Sequence, residues 1–188
     1  MTLPSPNSPQ GICVYCGSRD GGDPTYRETA CQLGTGLGRA RHPLIYGGGS
    51  VGLMGALADA ALVAGGTVTG VIPQEMVARE WAHPHLSELL VVDNMHQRKA
   101  AMAARASVFV ALPGGFGTLE ELSEMLSWAQ LEFHSHPLYL INTRGYFDQL
   151  LAFFDHCIEQ QFASPSHRNL LKVVDSAEEL LAELPPYM

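Results

Sequence analysis

Apolar residues in this chain gather into short, nearly continuous runs separated by longer stretches of helical periodicity. The first run is Gly11-Ile12-Cys13-Val14-Tyr15-Cys16, and others cover 43–46, 67–73, Glu88–Val92, 108–112, 137–142 and 170–174. Rich in β-branched residues and bounded by Gly, Pro or Asn, they read as strands buried on both faces. Between the first two, Tyr26, Ala30, Leu33, Leu37 and Ala40 recur at 4,3,4,3 spacing and predict a helix. Gly34, Gly36 and Gly38 each cost that helix about 1 kcal/mol against alanine, which close packing on a neighbour would explain. Further helices are predicted for the alanine-rich segment ending at Gly65-Gly66 and for 95–106, 119–132, 147–162 and 177–184, with a polar connector over 74–87. Strands alternating with helices give an α/β fold: a Rossmann-like, doubly wound parallel sheet of about seven strands flanked by helices. Its site belongs at the strand C-termini, near the reversal of strand order.

The chain has 188 residues. A chain of that size can bury roughly 70 % of its unfolded surface, so one domain is expected over 11–188, preceded by a flexible tail over 1–10. That tail has neither a basic n-region nor an apolar h-region, and no later run approaches the ~18 apolar residues that span a bilayer. A cytoplasmic protein with no membrane partner is expected. The net charge of −8 argues against non-specific nucleic-acid binding, so an anionic substrate has to be held locally. Cys13-Val-Tyr-Cys16 has redox spacing, but residues three apart on a strand face opposite ways. With no second cysteine pair for zinc, buried free thiols are expected.

The most informative segment is Leu112-Pro113-Gly114-Gly115-Phe116-Gly117-Thr118-Leu119-Glu120-Glu121, which follows an apolar strand and opens a helix. Glycines let backbone N–H groups approach a ligand, and the unpaired N–H groups of a new helix attract an anion. Glu120 and Glu121 would stand in the first turn beside it. Thr118-x-x-Glu121 also fits a capping box, which would leave the preceding glycines unexplained. A second glycine loop, 47–55, follows the strand at 43–46; it matches neither G-x-G-x-x-G nor a P-loop, and tight strand-to-helix packing would also account for it. The loops after the first two strands add Ser18, Gly48, Gly49 and Ser50 as candidate substrate contacts, and the third adds Phe116. Arg98 and Lys99 lie near the positive end of a helix capped by Asn94 or Asp93, a placement that asks for a nearby anion unless the pair is simply solvated. His83-x-His85 and His134-x-His136 lack further ligands at metal-binding spacing and read as surface loops. Ser18 and Ser50 lack a His/Asp pattern for nucleophilic catalysis. Trp128, Phe133 and Tyr139 fit core or a dimer surface better than base stacking.

Taken together, Gly47–Gly55, Met95-His96-Gln97-Arg98-Lys99 and Pro113–Glu121 resemble the Lonely Guy (LOG) family of cytokinin riboside 5′-monophosphate phosphoribohydrolases, often labelled lysine decarboxylase-like. The similarity runs from about Ile12 to Leu184. It implies cleavage of the N-glycosidic bond of an adenine-type nucleoside 5′-monophosphate, giving free base and ribose 5-phosphate. The family's catalytic positions fall on Arg98 and Glu121. Its nucleotide contacts fall on Glu80, Arg98, Lys99, Gly114, Gly115, Gly117, Thr118, Glu120 and Ser127. It further implies a homodimer, and the chemistry needs neither metal nor organic cofactor. A pyridoxal phosphate decarboxylase would need a Schiff-base lysine, and only Lys99 and Lys172 exist. The rival reading is a nucleotide sensor of the same fold, since the glycine loops predict binding and only Arg98 and Glu121 predict turnover.

Overall fold

A computed structural model describes residues 10–77, 79 and 81–184; the expected tail, Gln10 apart, lies outside them. Seven strands form one sheet, every pairing parallel: β1 (Gly11–Tyr15), β2 (Leu44–Tyr46), β3 (Val68–Pro73), β4 (Glu88–Val92), β5 (Ala106–Ala111), β6 (Leu138–Ile141) and β7 (Leu171–Val174). Their order is β4-β3-β2-β1-β5-β6-β7, so the chain builds outward from β1 in one direction and then restarts at β5 on its other side. The reversal places the loops after β1, β2 and β5 side by side at one sheet edge.

Alternation along the strands decides which helix covers which face. Ile12, Val14 and Cys16 point to one side, where α1 (Pro24–Arg39), α2 (Gly52–Val63) and α7 (Ala177–Glu183) contribute Leu33, Leu37, Leu57 and Leu180. Cys13 and Tyr15 point to the other, against Met102, Leu122 and Met125 from α4 (Met95–Ala103) and α5 (Phe116–Gln130), with α6 (Asp148–Glu159) adding Phe154. Cys13 and Cys16 therefore sit in different cores as free thiols, both driven far above the ordinary thiol pKa by burial. The glycines of α1 are explained by contact: a Cβ on Gly38 would meet Ala61 O at 2.6 Å, so α1 and α2 pack backbone to backbone.

Several boundaries differ from the periodicity. The connector after β3 contains a short helix, α3 (Gln74–Val77). Asn142 and Phe147 precede α6 as an irregular turn, and Phe162 lies beyond its end, 87 % exposed. The largest correction is at α5, which starts at Phe116 with Gly115 as its N-cap and no capping side chain. Thr118 is thus the third helical residue, the capping box is not formed, and Glu120 and Glu121 stand in the second turn. Gly115 takes extended φ/ψ, which lets the chain enter the helix directly from the glycine loop. Among the described residues no helix is long and apolar enough to cross a membrane.

Candidate active site

The three loops at the reversal are tied by two backbone hydrogen bonds, with a third tie from the side chain of Tyr146. Gly17 N–H donates to Pro113 O (3.0 Å), Met54 N–H to Gly17 O (3.3 Å), and Tyr146 O–H to Gly114 O. The first intrahelical bond of α5 runs from Leu119 N–H to Gly115 O (3.1 Å), leaving the amides of Phe116, Gly117 and Thr118 as the open end of the helix. No side chain caps them. The Thr118 hydroxyl is buried against Gly114, while the Phe116 ring is 93 % exposed.

Asn94 caps α4 by accepting from Gln97 N–H (3.0 Å), so Arg98 and Lys99 fall in its first turns. They are not a solvated pair. Each is only 8 % exposed. Burial needs partners, and both find them. Arg98 donates Nε to Val71 O (3.0 Å) and Nη2 to Gly47 O (2.8 Å), bridging the end of β2 to β3, and its Nη1 faces Glu121 Oε1 at 4.0 Å. Lys99 Nζ donates to Glu120 Oε1 and to Glu124 Oε1, the latter at 3.0 Å. Burial alone would lower the Lys99 pKa, and these two carboxylates more than offset it, leaving it raised. Gly47 leaves room for this contact, because a Cβ on it would overlap the Arg98 guanidinium as it is placed on Gly47 O. Gly47→Ala is expected to cost about 1–3 kcal/mol by overpacking, read as a lower denaturation midpoint; an unchanged midpoint would mean that Arg98 relocates freely.

Glu121 faces this pair from α5 and is 8 % exposed. Its pKa is pushed up to about 7, chiefly by burial; Arg98 acts against the rise, Glu120 adds to it, Lys99 opposes it and Glu124 adds again. A carboxyl poised near neutrality beside a fixed guanidinium is suited to exchange a proton or to stabilise a developing cation. Next to Arg98 a cavity of about 270 Å³ opens, bounded by Ser18 and Arg19 after β1, Gly47, Gly49 and Met54 after β2, and Trp81. Its other walls, Val51, Ile72 and Met76, are apolar.

The structure brings most of the predicted residues to this edge. Ser18, Gly49, Arg98, Lys99, Gly114, Thr118, Glu120 and Glu121 all belong to the three loops or the helices beside them; Gly48 and Ser50 lie in the β2 loop, with Ser50 N–H donating to Trp81 O (3.1 Å). Glu80 lies outside the described residues. Ser127 is not brought in: it lines a separate groove of about 280 Å³ between α5 and α6, beside Phe154, Cys157 and Phe162. His83 is a correction, being 5 % exposed rather than a surface residue. Its Nε2 lies 3.0 Å from Asp59 Oδ1, its Nδ1 accepts from His85 N–H, and its own N–H donates to Gly48 O, so it pins the 81–83 segment to the β2 loop. His134 is likewise engaged, with Met125 O at 3.0 Å. Tyr139 is core, Trp128 half-buried and Phe133 73 % exposed. Glu124 and Tyr146 were not among the predicted residues, for neither belongs to a glycine motif.

A parallel doubly wound sheet with a helix N-terminus, a buried acid and a fixed arginine at its reversal defines an α/β protein with a candidate ligand site at its switch point. Comparison with known proteins narrows the class. The family described as "Possible lysine decarboxylase" matches residues 54–184. Cytokinin riboside 5′-monophosphate phosphoribohydrolase LOG7 of Arabidopsis thaliana is 47 % identical over 176 residues, covering 94 % of this chain and 81 % of its own. LOG1 of the same plant is 45 % identical over 177 residues, covering 94 % and 83 %. The probable phosphoribohydrolase LOGL6 of Oryza sativa subsp. japonica is 46 % identical over 176 residues, covering 94 % and 70 %. The chain belongs to the LOG family. Among solved structures, the molybdenum cofactor binding protein from Rippkaea orientalis superposes with a TM-score of 0.70 at 21 % identity, covering 92 % of this chain and 94 % of that one. The Moco carrier protein from Chlamydomonas reinhardtii gives 0.69 at 22 %, covering 94 % and 99 %. At such identity these two share the fold.

Proposed function

We propose that this chain is a phosphoribohydrolase that cleaves the N-glycosidic bond of adenine-type nucleoside 5′-monophosphates, releasing the base and ribose 5-phosphate. The observation that carries the reading is the buried Glu121, held near neutrality and faced by Arg98, at the end of a glycine loop that supplies open helix amides. The phosphate sits on the amides of 114–118, with the Thr118 hydroxyl beside them. This fixes the ribose against the acid, so that C1′ meets Glu121. Glycoside cleavage passes through an oxocarbenium-like state, which an ionised Glu121 stabilises while it orients or deprotonates the attacking water. Arg98 spends Nε and Nη2 on Val71 O and Gly47 O, and its Nη1, which also reaches Met95 Sδ (3.8 Å), is the nitrogen that faces Glu121, so Arg98 acts on the acid rather than on phosphate. Glu120, half-exposed, takes the ribose hydroxyls. The base enters the cavity beside Arg98, where Met54, Met76 and Trp81 offer apolar contact to a purine or an N6-prenyl group.

The decarboxylase label suits these residues poorly. A Schiff-base lysine must lose its proton, and Lys99 is held charged by two carboxylates. Lys172 lies on the far β7 edge against Tyr139 and is raised too, first by its hydrogen bond to that hydroxyl. A single cytoplasmic domain over 11–188 acting as a homodimer completes the proposal; exposed Phe133, Phe153 and Phe162 offer apolar surface for a second copy, and light scattering reads the mass.

The test is chromatographic. Purified protein with AMP and, separately, isopentenyladenosine monophosphate is expected to yield free base and ribose 5-phosphate in equal amounts, and the ratio of the two rates identifies the preferred base. Binding of both nucleotides without release of either base would replace the enzyme by a sensor.

A further inference from the structure

Lys99 is held by two carboxylates where one would neutralise it. Glu120 and Glu124 stand one helical turn apart on the same stripe of α5, and both reach its ammonium. They are not equivalent. The Glu120 side chain is 53 % exposed and that of Glu124 only 25 %. Glu124 Oε2, moreover, is sealed from solvent and has no hydrogen-bond partner among the described residues. An oxygen placed there bears the cost of desolvation with nothing in return, so the ammonium of Lys99 is what keeps this carboxylate in place. Glu120 has water within reach and can exchange partners. Lys99 can release one of the two but not both at once, because a buried cation left unpaired is strongly destabilising.

We propose that Glu124 is a positioning residue: it is the fixed anchor of Lys99, and by holding the ammonium it frees Glu120 to exchange Lys99 for the ribose hydroxyls of the substrate. The identity of that substrate rests on the phosphoribohydrolase reading; the division of labour between the two carboxylates rests on the geometry. Only hydrogen bonds are exchanged, and no covalent bond changes at either residue. Lys99 therefore keeps its place and charge beside Glu121 whether the site is empty or filled. A lysine tethered by Glu120 alone would be released each time substrate entered.

With only two lysines in the chain, Lys99 and Lys172, [15N]lysine labelling gives two side-chain ammonium signals. Adding ribose 5-phosphate to the wild-type protein is expected to move the 13C carboxyl resonance of Glu120 and to leave those of Glu124 and the Lys99 ammonium in place. In Glu124→Gln the Lys99 signal is present without ligand and is lost to exchange when ribose 5-phosphate is added. In turnover, Glu124→Gln is expected to lower kcat about tenfold with KM within about twofold, whereas Glu120→Gln raises KM. The proposal is overturned if ribose 5-phosphate moves Glu124 together with Glu120, or if the two variants change the same kinetic parameter equally. Should Glu124→Gln not fold, the wild-type carboxyl titration decides alone. Carboxyl shifts as expected in a protein that releases no base would sink the hydrolase reading and leave the anchor standing. Base release with no difference between the two carboxylates would do the reverse.

Discussion

Glu121→Gln is expected to stop base release and, at the same time, to make the protein more stable above neutral pH. The first effect follows from the role of the carboxylate: the amide neither carries the charge that balances an oxocarbenium ion nor accepts a proton, and such groups contribute about 10²–10⁴ in rate. The second follows from burial. A carboxyl whose pKa rises from 4.5 to about 7 holds its proton more tightly in the folded protein than in the unfolded chain. Below pH 4.5 both states are protonated and the site costs nothing. As the pH climbs toward 7 the unfolded chain ionises first, and the folded state loses on the order of 3 kcal/mol by the time both are ionised. Glutamine escapes that loss, so the variant should melt about 6–12 °C above wild type at pH 8 and level with it at pH 4. Thermal melts at the two pH values, with nucleotide binding measured alongside, check both halves. Retained turnover would remove Glu121 from the mechanism, and a gain in stability independent of pH would assign it to packing. In the wild type, activity should fall as the pH drops below about 7, because only the ionised acid works.

Arg98→Lys should be nearly as damaging although it keeps the charge. The guanidinium makes two backbone hydrogen bonds and still presents a third nitrogen to Glu121; a single ammonium cannot span Val71 O, Gly47 O and the acid together. One carbonyl or the carboxyl loses its partner, at about 1–3 kcal/mol for a buried polar group. A loss of about 10²–10³ in kcat is expected, and the acidic limb of the pH profile moves upward to the extent that the shorter lysine draws its charge away from Glu121, since the Arg98 charge is what opposes the rise of the Glu121 pKa. Denaturant unfolding and a pH–rate profile measure the two consequences separately. A lysine variant with wild-type kcat and an unmoved profile would show that charge alone suffices there.

The sheet could be read from the sequence because strands buried on both faces leave continuous apolar runs, and β4 was placed to the residue. Helix starts were less legible. Glycines signal loop, yet at α5 the helix is entered straight from Gly115, and Phe116 and Gly117 form its first turn in place of a Thr118 cap. Of the candidate site, the motif residues Arg98, Lys99, Glu120 and Glu121 could be named, but not what they touch. Arg98 binds main-chain carbonyls, which carry no sequence signature, and the Lys99–Glu124 contact spans 25 positions between helices that meet only in the folded chain. His83 looked like a surface histidine for the same reason, its partner Asp59 lying 24 positions away on α2.

The two halves of the sheet are separate constructions that meet at β1, and Arg98 touches both. It grips the end of β2 and the middle of β3 on one side and confronts an acid carried by the helix after β5 on the other. Catalytic alignment in this enzyme is accordingly a property of the seam, not of either half. A relative slip of a fraction of an ångström, too small to disturb any core side chain, would already widen the 4.0 Å gap between guanidinium and carboxylate. Changes in α1 or α7, whose residues do not line the cavity beside Arg98, can thus reach the chemistry by shifting how the halves are seated.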